Sequence, residues 1–154
     1  MSKELDYLKS VSSFFRRTTA KIKLITLIEK AKQEYDKYDF KAGKHSLLAA
    51  YNLDKKNPTI LRGLGCIAIA EGDYAEAVKY FEKALQFSTS KEIEYTLIGT
   101  AYYYLENLDE AIKYYNLAID QNDDYDSAYE GRNQAMLENH LKIIDFQETL
   151  KKYF

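Results

Sequence analysis

The sequence repeats with a period of 34 residues, and this period constrains the fold more than any other feature. The repeating units are residues 24–57, 58–91 and 92–125. Similar residues lie 34 positions apart in the last two units, as shown by Gly65 and Gly99, Ala77 and Ala111, Phe81 and Tyr115, and Ala84 and Ala118. A fixed period of this size is typical of solenoid proteins, in which similar supersecondary units stack side by side.

Local signals predict that each unit consists of two helices joined by a short turn. In the second unit Asn57 is a good N-cap, Pro58 suits the first helical position, and Gly72 suits a helix end. Asp73 followed by Glu76 resembles a capping box for the next helix. The third unit carries similar signals at Thr89 with Glu92 and at Asn107 with Glu110. One Pro and six Gly in 154 residues leave few breaks, which favours helix throughout.

Small residues at repeated positions indicate where helices cross closely. Gly65 and Gly99 lie in the middle of predicted helices, where Gly costs about 1 kcal/mol relative to Ala. A cost repeated at the same position of two units indicates a partner helix too close to admit a side chain. The second helix of each unit offers matching small surfaces at Ala77, Ala84, Ala111 and Ala118.

This pattern of small and large residues resembles the tetratricopeptide repeat. Residues 58–91 match best, through Leu61, Leu64, Gly65, Ala68, Tyr74, Ala77, Phe81 and Ala84. Residues 92–125 match through Tyr95, Ile98, Gly99, Tyr102, Leu108, Ala111, Tyr115 and Ala118. The first unit fits at Leu27, Ala31, Phe40, Leu47 and Ala50 but departs at Lys30, Glu34 and Gly43, so its first helix is expected to be displaced or frayed.

The resemblance implies an all-α fold, a right-handed superhelical stack of antiparallel helix pairs with about three repeats. Residues 1–23 are predicted to form an amphipathic N-terminal helix that packs on the first repeat or on a second protomer. Residues 126–154 are predicted to form a C-terminal capping helix or helices, because Arg132 and Asn133 replace the apolar and small residues of the motif.

The composition of the sequence limits where the protein can be located and which kinds of partner it can bind. No stretch approaches the roughly eighteen unbroken apolar residues of a transmembrane helix, and Lys21 and Lys23 interrupt any signal-peptide core. The single Cys66 fits a reducing compartment, so we expect a cytoplasmic protein. The formal net charge of −2 argues against a dedicated nucleic-acid binder.

Charge is nevertheless unevenly distributed. Residues 1–33 carry eight Lys or Arg and three Asp or Glu, a net of +5, whereas residues 104–138 carry nine acids and two bases, a net of −7. The basic N-terminal segment is either a solvated helix face or a surface that meets an acidic neighbouring chain. A peripheral membrane or nucleic-acid factor working through Phe14, Phe15, Arg16 and Arg17 is an alternative.

Catalytic and metal-binding motifs are missing from the sequence. His45 and His140 are far apart, and Cys66 has no second cysteine to form a metal-ligand pair. The sequence GLGC at 63–66 lacks the spacing and the Lys-Ser/Thr of a phosphate loop and falls inside a predicted helix. We therefore expect no enzymatic activity, no cofactor and no metal.

The resemblance implies that one face of each first helix lines a concave groove. From the second and third repeats the candidate groove residues are Arg62, Gly63, Cys66, Ile69, Ala70, Ile93, Leu97, Thr100, Tyr103 and Tyr104. From the first repeat they are Ile25, Ile28, Glu29, Lys32, Tyr35 and Asp36. Family members that bind the C-terminal carboxylate of chaperones carry Lys, Asn and Arg at the positions that hold Ile28, Gly63, Ile93 and Leu97 here. The carboxylate clamp of those family members is therefore missing from this sequence.

The predicted ligand is an extended or helical protein or peptide segment with apolar anchors, because the groove positions are largely apolar and aromatic. Two other occupants stay open: the chain's own termini, and a second copy in a homodimer through the terminal helices. These termini offer apolar faces at Leu5, Leu8, Val11 and Phe15 and at Leu141, Ile144, Phe146 and Leu150. The layout also resembles class II chaperones of bacterial type III secretion, which is an alternative function.

Overall fold

The computed structural model describes residues 2–153, with side chains for residues 6–149 and 151. This part of the chain contains seven helices and no strand. The helices are α1 (Ser2–Asp36), α2 (Phe40–Leu53), α3 (Pro58–Glu71), α4 (Tyr74–Leu85), α5 (Lys91–Tyr104), α6 (Leu108–Gln121) and α7 (Asp126–Tyr153). Each helix packs mainly against its neighbours in sequence. The predicted all-α stack of antiparallel helix pairs is confirmed.

Most of the predicted helix ends are confirmed by capping hydrogen bonds. The backbone N–H of Thr59 donates to Asn57 Oδ1 at 3.0 Å, and that of Glu76 donates to Asp73 Oδ1 at 3.1 Å. The predicted start at Thr89 is wrong. Helix α5 begins at Lys91 after Ser90, whose side chain makes no capping bond and whose N–H donates to Ser88 Oγ at 3.2 Å in a local turn.

The close helix crossings predicted at the repeated glycines are present. A Cβ at Gly65 would lie 2.4 Å from Cε1 of Phe81, and a Cβ at Gly99 would lie 3.0 Å from Cδ1 of Tyr115. Ala77, Ala84, Ala111 and Ala118, the small residues of the second helices, are each 0% exposed. The repeat register read from the sequence is therefore the packing register of the stack.

The first repeat is better ordered than its sequence suggests. Its first helix, predicted to be displaced or frayed, packs on α2 with Ala31 only 3% exposed. Glu34, which departs from the family motif, accepts a hydrogen bond at 2.7 Å from the nearly buried Ser46 Oγ. A polar pair thus replaces an apolar contact between these helices, and the prediction of a frayed helix is wrong.

The N-terminal segment also differs from expectation. The predicted boundary between residues 1–23 and the first repeat is not a break, because α1 is one continuous helix from Ser2 to Asp36. No Pro or Gly interrupts it. Tyr7, Phe14 and Phe15 of this segment are all more than half exposed, so these three side chains do not pack on the first repeat, and packing of the segment on a second protomer stays a prediction.

The C-terminal segment forms one capping helix. Its first turns pack on α5 and α6, and Ala128 and Ala135 are each 0% exposed. Beyond these turns its large apolar side chains are exposed. The side chains of Leu5 and Leu150, named above as parts of apolar faces, lie outside the described residues.

The turns between paired helices place one residue per repeat in the left-handed region. These residues are Tyr38 with φ 61°, Gly72 with φ 80° and Glu106 with φ 60°, spaced 34 positions apart. Gly adopts this conformation without strain, whereas a residue with a Cβ is strained by about 1–2 kcal/mol, which lowers the stability of the folded state.

We expect Glu106→Gly to raise the free energy of unfolding by up to about 1 kcal/mol, since relief of strain exceeds the entropy that Gly adds to the unfolded chain. The ion pair it removes, with Lys142 at 3.6 Å, is exposed and worth little. Urea denaturation measures the change. Gly72→Ala is the matched control and should lower stability by about 1 kcal/mol. A Glu106→Gly variant less stable than wild type would contradict the strain.

Candidate functional site

A hollow of about 460 Å³ lies between α1 and α3, where the groove was predicted. It is lined by Ile28, Ala31, Lys32, Tyr35, Leu47, Thr59, Arg62, Gly63, Cys66 and Ile67. Three candidate residues of the second repeat, Arg62, Gly63 and Cys66, are brought together here with Lys32 and Tyr35 of the first. The lining combines an apolar surface with two cationic side chains and contains no carboxylate.

Arg62 is held in place by a buried acid. Its Nη2 lies 2.6 Å from Oε1 of Glu94, and its Nε donates to the same oxygen at 3.1 Å. Glu94 is 0% exposed, whereas 28% of the Arg62 side chain remains accessible. The pair ties α3 to α5 while Arg62 lines the hollow.

Glu94 was not singled out in the sequence analysis. The available signal was the spacing of 32 residues between Arg62 and Glu94, close to one repeat period. Residues separated by about one repeat period lie at similar positions along the first helices of adjacent repeats. The long Arg62 side chain can therefore reach the Glu94 carboxylate on the next first helix.

Gly63 belongs to the apolar part of the hollow and also to the packing beneath it. A Cβ at this position would lie 2.9 Å from Cδ1 of Leu47, which is 5% exposed. Gly63 therefore lets α2 and α3 approach each other, because any larger residue at this position would meet the Leu47 side chain.

Cys66 lines the hollow, where its side chain is half-buried. Burial raises its pKa above the ordinary value, and the nearby Glu94 raises it further, while Arg62 acts in the opposite direction. A raised pKa lowers the thiolate fraction at neutral pH, which disfavours nucleophilic chemistry. Among the described residues no group of three or more His, Cys, Asp or Glu is arranged to hold a metal ion.

Several candidates also take part in packing. Ile69 and Leu97 contact the buried cluster that contains Phe81 and Ile98. Leu97 is therefore partly a packing residue and not only a groove residue. Thr100 is half-buried, and its Oγ1 lies 3.1 Å from the hydroxyl of Tyr115. Ile93 is half-buried, and Ala70 is exposed near the end of α3.

The two adjacent tyrosines of α5 lie in different surroundings. Tyr103 is tied to α7: its hydroxyl accepts a hydrogen bond from Gln134 Nε2 at 3.1 Å, and a hydrogen bond to Glu138 raises its pKa. Tyr104 is 48% exposed and stacks on Tyr74, with ring centroids 5.1 Å apart. Neither tyrosine lines the hollow, so the predicted groove divides into the hollow and a separate aromatic region at the far end of α5.

The fold and the groove define a helical-repeat protein built from stacked helix pairs with one face made by the first helices. The tetratricopeptide repeat family matches residues 58–89 and, a second time, residues 95–125. The chain is a tetratricopeptide repeat protein. Its described residues contain no helix long and apolar enough to cross a membrane.

Relatives with similar sequences are much longer than this chain. Superkiller complex protein 3 of Mus musculus is 30% identical over 115 residues, which cover 71% of this chain and 7% of the relative. The protein of the same name from Homo sapiens is 28% identical over 131 residues, covering 76% of this chain and 8% of the relative. The chain thus spans less than a tenth of the length of these relatives.

A solved structure of similar fold is the first tetratricopeptide domain of human RPAP3, with a TM-score of 0.72 and 18% identity over 77% of this chain and 94% of that one. The first such domain of Spaghetti (RPAP3), bound to the HSP90 peptide SRMEEVD, gives a TM-score of 0.71 at 18% identity, with the same coverage of 77% and 94%. At this identity the likeness shows the fold alone.

Proposed function

We propose that this chain is a non-enzymatic interaction module that binds a segment of another protein on its concave face. The observation that carries the proposal is the hollow between α1 and α3, which is about 460 Å³ in volume. A space of this size is large enough for one or two side chains of a peptide, and concave, mostly apolar sites are typical of ligand binding.

The lining of the hollow favours a particular kind of segment. Ile28, Ala31 and Leu47 provide an apolar surface for an apolar anchor. Lys32 contributes positive charge to the lining, whereas the charge of Arg62 is compensated by its ion pair with Glu94, so an acidic residue beside the anchor is attracted mainly by Lys32. The ligand we propose is therefore an extended or helical segment with an apolar side chain next to an acidic one.

The RPAP3 domain that holds an HSP90 peptide supports the general type of function, because it presents the same fold to a peptide. Recognition in this chain has to differ in detail. Ile28, Gly63, Ile93 and Leu97 stand where a carboxylate clamp needs polar side chains, so a free C-terminus on the ligand is not required.

A cytoplasmic location and an adaptor or scaffold role are parts of this proposal. A secretion chaperone of the class II kind is one form that it can take, since such a chaperone also holds a segment of its client. The expected homodimer through the terminal helices concerns surfaces outside the hollow and stays a proposal. A membrane or nucleic-acid role through Arg16 and Arg17 is the competing function.

Selection of a random peptide library displayed on phage against the full chain tests the proposal. We expect the recovered peptides to share an apolar residue beside an acidic one. Replacing Lys32 and Tyr35 together by Ala should weaken their binding by about thirtyfold, or about 2 kcal/mol, as measured by titration calorimetry. Both residues are exposed and line the hollow, so the fold should survive.

Lys79→Ala is the matched control, because Lys79 lies on α4 with 72% of its side chain exposed and does not line the hollow. It should bind the peptides as tightly as wild type. Selected peptides that bind wild type and the Lys32/Tyr35 variant equally well would contradict a site in the hollow.

A further inference from the structure

The Arg62 guanidinium keeps hydrogen-bond donors that no described protein group uses. Its Nε and Nη2 donate to Oε1 of Glu94 at 3.1 and 2.6 Å, which occupies one edge of the planar group. A guanidinium has five N–H donors, of which Glu94 takes two, so three remain. The Nη1 atom carries two of these three, donates to no acceptor among the described residues and is not sealed from solvent. Donors of Arg62 are therefore available to a ligand in the hollow that this side chain lines.

The charge of Arg62 is already compensated by the ion pair with Glu94. Glu94 is 0% exposed, and its second carboxylate oxygen, Oε2, has no partner of its own among the described residues. A ligand carboxylate on Arg62 would share one cation with this buried acid and would be repelled by it, because charges in a buried site are weakly screened. A neutral carbonyl oxygen accepts the same hydrogen bonds without that repulsion.

The rest of the lining supplies contacts of other kinds. Lys32 is an exposed cation on α1. The apolar surface comes from α1 and α2, through Ile28, Ala31 and Leu47. The charge and shape of a ligand side chain are therefore met by α1 and α2, whereas Arg62 on α3 offers hydrogen bonds with little net charge.

We propose that Arg62, positioned by Glu94, donates a hydrogen bond to a main-chain carbonyl oxygen of the bound segment. This inference rests on the proposed function, since it assigns one contact within the same hollow. Every residue of a segment has a main-chain carbonyl, so the contact fixes where the segment lies without selecting its sequence. Glu94 is a positioning residue: it holds the guanidinium toward α5 and compensates its charge, which directs Arg62 to a neutral acceptor.

Titration calorimetry of the full chain with a peptide selected as described above tests the contact. The native peptide is compared with analogues in which one amide at a time is replaced by an ester, whose carbonyl oxygen is a weaker acceptor. At the contacted position the ester should weaken binding to the wild-type chain by about fivefold to tenfold. It should have little effect on the variant with Arg62→Met and Glu94→Leu, which lacks the donor and should bind the native peptide about tenfold more weakly than wild type. Circular dichroism should show that this double variant keeps its helix content.

Glu94→Gln tests the positioning role, because it removes the negative charge and keeps an oxygen that accepts from the guanidinium. Arg62 then carries an uncompensated charge. Replacing the acidic residue of the peptide by its amide should therefore cost this variant about threefold to tenfold more affinity than it costs wild type, and the difference should shrink at high salt. A residue that only supports the fold would not change this preference. Lys79→Ala, on α4 outside the hollow, should behave like wild type.

Three results would overturn the inference and leave the proposed function standing, provided that the Lys32/Tyr35 variant still binds the peptide weakly. The first is equal binding of the native peptide to wild type and to the Arg62/Glu94 double variant. The second is an ester series that weakens binding to both chains alike. The third is an acid-to-amide change that costs wild type more than the double variant, since Arg62 would then hold the acidic side chain. A Lys32/Tyr35 variant that binds as tightly as wild type would count against the proposed function and this inference together.

Discussion

Arg62→Met is expected to lower the free energy of unfolding by about 3–5 kcal/mol, the cost of leaving one charge of a buried pair without its partner. Glu94 is 0% exposed, and its Oε1 receives two hydrogen bonds from the Arg62 guanidinium. The other carboxylate oxygen, Oε2, accepts no hydrogen bond from any donor among the described residues. Arg62 is therefore the main compensation for burying this carboxylate, and denaturant unfolding of the single variant measures what its loss costs.

The double variant, Arg62→Met with Glu94→Leu, separates loss of the pair from loss of packing. Replacing both charges with apolar side chains of similar size is often neutral or stabilising, so most of the loss should be recovered. If the single variant is as stable as wild type, or the double variant is as unstable as the single one, Glu94 does not depend on Arg62 for its burial.

Gly65→Ala should also destabilise strongly, by about 1–3 kcal/mol or more, as measured by thermal denaturation. At an exposed helix position the same change stabilises by about 1 kcal/mol. The sign reverses here because the new Cβ would lie 2.4, 2.7 and 2.8 Å from three ring atoms of Phe81. Phe81 is 0% exposed and packed in a buried cluster, so a shift of its ring would disturb the side chains around it.

Two other substitutions to Ala serve as comparisons for the destabilisation expected from Gly65→Ala. Gly63→Ala should cost less, because the new Cβ meets the flexible end of Leu47 at 2.9 and 3.2 Å rather than an aromatic ring. Glu110→Ala, at a partly exposed acid, should change stability by about 0.5 kcal/mol at most. A Gly65→Ala variant that melts above wild type would show that the crossing of α3 and α4 is looser than described.

The fold was predictable because the sequence signals that determine it act over a few residues and recur in successive repeats. Asn57, Pro58, Gly72 and Asp73 set helix ends by interactions within a few residues, and the 34-residue period then sets which faces meet. The continuous α1 helix was not predictable in the same way. The repeat pattern begins at residue 24, but nothing there stops a helix, so the boundary of the repeat is not a boundary of the helix.

The candidate site was predictable only in part, because its composition depends on contacts between helices. Gly63 and Cys66 were placed on the groove by their position in the repeat, and the structure puts them in the hollow. Tyr103 was placed by the same rule, yet it is bonded to α7 because that helix packs beside α5. Gly131 was not singled out at all, although a Cβ there would lie 2.5 Å from the ring of Tyr115.

The rate at which N-ethylmaleimide alkylates Cys66 reports directly on whether a bound segment fills the hollow. Cys66 is the single cysteine of the chain and lines that hollow, so no other thiol contributes to the signal. With a peptide selected as described above, alkylation should slow in proportion to the fraction of chain bound. The variant with Ala at Lys32 and Tyr35, which should bind the peptide weakly, should show no protection at the same peptide concentration. An alkylation rate that stays unchanged when the wild-type chain is saturated with peptide would contradict binding in the hollow.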